Sequence, residues 1–126
     1  MKRLVTVLFL GLTMLYSVTV AADDGSTLRV AVIQTSDAGG YIAQLAEGKK
    51  LIHAVDKKFT IRAWQATFAG DATGTVIVGV EYPGSFGEFG VAWEKLISDP
   101  AVGAWLTGLS GLRTIVSDSI YNEYPL

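Results

Sequence analysis

"FTIRAWQATFAGDATGTVIVGVEY", Phe59 to Tyr82, holds two runs rich in β-branched and aromatic residues on either side of "DATG". The runs Phe59–Gly70 and Thr75–Tyr82 read as strands, and Asp71–Gly74 reads as the turn between them. A short turn joins only antiparallel strands, so the middle of the chain is a hairpin. What flanks that hairpin decides the fold.

Upstream, "TLRVAVIQT" (Thr27 to Thr35) alternates as a strand does. Ser36 or Asp37 can then cap a helix with Tyr41, Ile42, Leu45, Ile52 and Val55 on its apolar face. Gly48 weakens that helix, and Asp56-Lys57-Lys58 ends it. Downstream, Pro83 and Gly84 break the strand, and Ser85 with Glu88 forms a capping box. Phe86, Phe89, Trp93 and Leu96 follow at helical spacing and are assigned to the core. Asp99 before Pro100 caps a short second piece with Val102, Trp105, Leu106 and Leu109. After Ser110-Gly111, "LRTIVSDSIYNEY" (Leu112 to Tyr124) is a last strand. The order is β-α-β-β-α-β, which predicts an α+β, ferredoxin-like fold: a four-stranded antiparallel sheet with two helices on one face.

A strand ending "VEYP", a Ser-capped helix with "F..F...WEKL", then "SDP" and a short helical piece resemble the dimeric α/β-barrel superfamily. The most similar members are the small NIPSNAP-like and antibiotic-biosynthesis-monooxygenase-like proteins. The resemblance spans residues 23–126 as one domain. It implies a homodimer, a dimeric α/β barrel in which two sheets meet and enclose a pocket.

The N-terminus carries a different signal. Lys2 and Arg3 precede an apolar run, "LVTVLFLGLTMLYSVTV", followed by "AADD". Such a sequence predicts a signal peptide over residues 1–22, cut between Ala22 and Asp23, and a periplasmic or secreted protein. Its Thr, Ser and Gly residues make it a poor permanent anchor, so no membrane partner is expected after cleavage. Ten basic residues less Lys2 and Arg3, against twelve acidic ones, leave the 104-residue remainder at −4. That balance argues against nucleic acid as a partner. With no Cys, the chain has neither disulfides nor a thiol nucleophile.

No residue set announces chemistry. His53 is the single histidine; a general base or a haem ligand would fit its pKa range, but the favoured reading is a half-exposed residue at a helix C-terminus. Haem-degrading relatives use an Asn, a Trp and a His on particular elements. Here the first strand has Gln34 in place of Asn and the His is on the first helix, so no cofactor and no metal site are expected. Asp71, Glu81, Asp118 and Glu123 lie near strands with nothing to select a pair among them. Strand parity puts Val76, Val78 and Val80 toward the helices. It puts Ile115 with Ser117, Ser119 and Tyr121 on one face of the last strand, and Ile77 and Ile115 on the face away from the helices.

Polar or amphipathic tips on strands are what a cavity between paired sheets requires. Gln34, Arg62, Trp64, Glu81, Ser117 and Tyr121 are therefore the candidate binding residues, with no catalytic roles assigned. The expected function is binding of a small, partly apolar molecule. The alternative is a cofactor-independent monooxygenase-like enzyme.

Overall fold

A computed structural model describes residues 25–126. Residues 1–22, read above as a signal peptide, lie outside them. The elements are β1 (Thr27–Gln34), α1 (Ala38–Val55), β2 (Thr60–Gln65), a 3-10 turn (Gly70–Ala72), β3 (Val76–Tyr82), α2 (Phe86–Ile97), α3 (Pro100–Ser110) and β4 (Thr114–Asn122). The four strands form one antiparallel sheet in the order β2-β3-β1-β4. Split β-α-β units interleave in this way, and the three helices lie against one face.

Local chemistry accounts for the boundaries. Asp37 caps α1 by accepting from Gly40 N–H. Ser85 accepts from Glu88 N–H at 3.2 Å while the Glu88 carboxylate accepts from Ser85 N–H at 3.0 Å, the reciprocal pair anticipated from sequence. These hydrogen bonds hold the Glu88 carboxyl below its ordinary range. Asp99 accepts from Val102 N–H and Pro100 opens α3, so the helical stretch after β3 divides into two separate helices. The hairpin strands are shorter than expected. β2 stops at Gln65, and the chain crosses to β3 through a longer loop with Gly70 and Gly74 at positive φ, a region glycine enters freely.

Gly48 has a packing reason to sit inside α1. A methyl group there would run into the indole of Trp105, whose Nε1–H donates to the Gln44 carbonyl at 2.8 Å. The glycine that weakens the helix locally lets α3 approach it.

Two apolar clusters hold helices to sheet. One joins Ile52, Phe59, Tyr82, Phe89, Ala92, Leu96 and Val102. The other joins Ile33, Tyr41, Leu45, Val76, Val78 and Leu109. Phe59 is fully buried, with its ring 4.9 Å from Tyr82 and edge-on to Phe89 and Trp93. The α2 stripe is only in part core. Phe89 and Leu96 are buried and Trp93 is half-buried, but Phe86 is 57% exposed. Phe86 is the first residue of α2, where the helix has not yet come over the sheet. Ile42 and Val55 likewise fall outside the buried stripe of α1, which Tyr41, Leu45 and Ile52 form.

The last strand holds a correction. Val32 pairs with Ser117 but Ile33 pairs with Ile115, so Val116 is an extra residue in β4. This β-bulge reverses the parity of everything before it. Ser117, Ser119 and Tyr121 share the face away from the helices, as expected. Ile115 instead turns to the helix side, opposite the buried Ile33.

Candidate functional site

The helix side of the sheet encloses a cavity of about 360 Å³ between the two apolar clusters. Its floor is Arg29 and Ala31 of β1, Val78 and Val80 of β3, Ile61 of β2 and Ile115 of β4. Its roof comes from all three helices: Leu45 and Ile52 of α1, Trp93 and Ile97 of α2, and Trp105, Leu106 and Leu109 of α3. Ile97 and Ile115 are 42% and 43% exposed, which puts the cavity mouth between the end of α2 and β4. A volume in the range of about 300–1,000 Å³ and a mainly apolar wall with few polar groups are the marks of a small-molecule site.

The charged groups on this wall are two arginines, Arg29 and Arg113. Arg29 grips Asp118 with both ends of its guanidinium, Nε to Oδ1 at 2.9 Å and Nη2 to Oδ2 at 2.5 Å, and lies 4.8 Å over the ring of Trp93. This hydrogen-bonded pair pushes Arg29 above its ordinary pKa and holds the Asp118 carboxyl below the usual carboxylate range; Arg113 adds to the latter. Arg113 makes a different set of contacts. Its Nη1 donates to the Tyr41 hydroxyl at 2.9 Å, while Nε is buried with no acceptor among the described residues.

The six residues chosen from sequence all fall on the opposite, open face of the sheet. That face has three cross-strand rows. Trp64, Ile77, Val32 and Ser117 form one; Arg62, Gly79, Val30 and Ser119 the next; Thr60, Glu81, Leu28 and Tyr121 the third. Arg62 donates to Glu81 at 2.7 Å, and Ser26 Oγ donates to the other Glu81 oxygen at 2.8 Å. Trp64 covers Gly79, where a methyl would sit 3.0 Å from its ring. Gln34 lies at the end of β1 opposite Thr114, bordering a surface groove with Thr35, Ser36 and Asp37. The structure thus groups Arg62, Trp64 and Glu81, spaces Ser117 and Tyr121 along β4, and leaves Gln34 at the far end. None of the six lines the helix-side cavity.

Sequence reasoning missed Arg29, Trp93, Trp105, Arg113 and Ile115 as wall residues. One signal was present. Arg29 has the parity of Thr27, Ala31 and Ile33 on an otherwise core-facing row, and a charge on such a row asks for a partner. His53 takes its structural role: its Nε2–H donates to the Phe59 carbonyl at 2.8 Å, tying the end of α1 to the start of β2. No group of three or more His, Cys, Asp and Glu side chains able to hold a metal occurs among the described residues.

No family model and no curated protein matches the sequence. Solved structures do match in shape. A NIPSNAP family protein from Agrobacterium tumefaciens superposes with a TM-score of 0.62 at 18% identity, over 81% of this chain and 85% of that one. The chain has the fold of NIPSNAP and antibiotic-biosynthesis-monooxygenase-like proteins. SnoaB, a cofactor-independent oxygenase from Streptomyces nogalater, gives a TM-score of 0.60 at 10% identity over 81% and 96%. A NIPSNAP domain protein from Burkholderia xenovorans gives 0.59 at 15% over 81% and 94%. At such identities the likeness concerns the fold, and the site of this chain must be read from its own side chains.

Proposed function

We propose that this protein is an exported homodimer that binds a small, mainly apolar molecule in the cavity between its helices and its sheet. The observation that carries the reading is the apolar chamber of about 360 Å³ whose walls come from every strand and every helix. A core packed to ordinary density leaves few voids larger than a water molecule, so a chamber of this size supports the binding reading. The homodimer rests on the open face, where Leu28, Val30, Val32 and Ile77 lie in rows with the half-exposed Trp64 and Tyr121. Soluble monomers seldom leave a broad apolar patch uncovered. Export rests on the N-terminal sequence. Among the described residues, no helix is long and apolar enough to cross a membrane.

The test is a titration of protein recovered from the exported fraction, whose intact mass should correspond to a chain beginning at Asp23. Naphthalene, a neutral apolar probe, should quench the emission of Trp93 and Trp105 saturably. Leu106→Trp, which fills the chamber, should abolish that binding. Absence of saturable binding by the native protein refutes the cavity reading. The second reading, a cofactor-independent oxygenase as SnoaB is, uses the same chamber. It would appear as oxidation of the added aromatic in place of reversible binding.

A further inference from the structure

Resting on that cavity reading, we infer that the ligand is an apolar acid, held through one carboxylate by Arg113. The lining holds two arginines and no carboxylate, and only Arg29 is paired, with Asp118 beside it, which leaves the lined space with one positive charge in excess. That carboxylate is already taken, because both of its oxygens are engaged by Arg29. Arg29 is thereby fixed as a flat surface beside Trp93, its charge answered.

Arg113 is the group with unused capacity. The Tyr41 hydroxyl occupies Nη1, and no other hydrogen bond of this side chain is formed with the described residues. The Nε–Nη2 edge remains, and two parallel N–H groups on one edge match the two oxygens of a carboxylate. Nε is out of water's reach in this rotamer. A carboxylate taking that edge would therefore draw the guanidinium a short way into the chamber. A buried donor without an acceptor is costly, so satisfying it favours the shift. The remaining wall, Leu45, Ile61, Leu106 and Ile115 among it, suits an aliphatic or aromatic body.

The pair 1-naphthoate and 1-naphthamide tests this, since they share one apolar body and differ in charge at neutral pH. Each dissociation constant is read from Trp quenching, and the quantity compared is their ratio. In the native protein the acid should bind about 10- to 100-fold more tightly than the amide, the range of a charge-assisted hydrogen-bonded pair. Arg113→Gln should bring the ratio close to one. Asp118→Asn removes the competing carboxylate from the partly exposed Arg29 pair, and should raise the ratio several-fold above native. Because Asp118 is not itself a lining residue and Arg113 stays unchanged, that variant tests the inference even if Arg113→Gln does not fold. A native ratio near one, a high ratio that survives Arg113→Gln, or a ratio that Asp118→Asn fails to raise overturns the acid. Equal binding of both probes would leave the cavity reading standing; binding of neither, with naphthalene also silent, would remove both.

Discussion

The two faces of the sheet use similar residues for different ends. On the helix side, Phe59, Tyr82 and Phe89 interlock, and a few residues away the packing opens into a chamber whose charges are two arginines. On the open side, Trp64, Ile77 and Val32 form a shallow apolar row beside the exposed Arg62–Glu81 pair. One face encloses space within a single chain, whereas the other offers a surface. Burial of aromatic residues is therefore no guide to function here until the face is known. Trp93 lies under Arg29 and walls a cavity, whereas Trp64 lies over Gly79 and coats a sheet.

The sharpest way to break this contrast is to truncate Phe59. It is fully buried in the tight part of the helix side and touches three other rings. Phe59→Ala should cost about 3–5 kcal/mol in urea unfolding, the usual range for an aromatic deleted from a core. A loss below 1 kcal/mol would mean that the helix side is loosely packed throughout and that the chamber is nothing special.

On the open face the expected effect is smaller and of another kind. If a second copy covers this face, Trp64→Ala should weaken self-association by roughly 30-fold, equivalent to about 2 kcal/mol for a central aromatic anchor. The fold of each chain should be retained. Sedimentation at several concentrations reads it directly. A native protein that sediments as a monomer throughout would leave the open face as plain solvent-facing sheet.

The smallest effect concerns acid. Asp118 has a carboxyl held below its unfolded value by Arg29, so its contribution to stability is present above pH ~4 and fades as pH falls through the lower folded value. The pair is partly exposed, and such pairs contribute below about 1 kcal/mol. Stability curves of native protein and Asp118→Asn should differ slightly at neutral pH and converge in acid. A gap that widens toward low pH would contradict the assignment.

The fold was legible because its cues are local. The capping residues Ser85 and Asp99, the break at Pro83-Gly84 and the Val76–Val78–Val80 row need no knowledge of distant neighbours. The site was not legible, because it depends on register. Parity along β4 placed Ile115 on the open face, and the extra Val116 returned it to the cavity. Arg113, two residues before Ile115, is subject to the same irregularity. Gly48 shows the same limit: locally a weak point in a helix, it is the place where Trp105 docks. Arg62, Trp64 and Glu81 were chosen only as three of six polar-tipped strand residues, and it is the β2–β3 register that sets them side by side on the open face.

The bulge at Val116 also separates two inheritances within one strand. Odd-numbered positions before it, Arg113 and Ile115, belong to the inner chamber; odd-numbered positions after it, Ser117, Ser119 and Tyr121, belong to the outer surface. Within one nine-residue strand, Ile115 can thus be altered to suit a guest, and Ser117, Ser119 and Tyr121 to suit a neighbour.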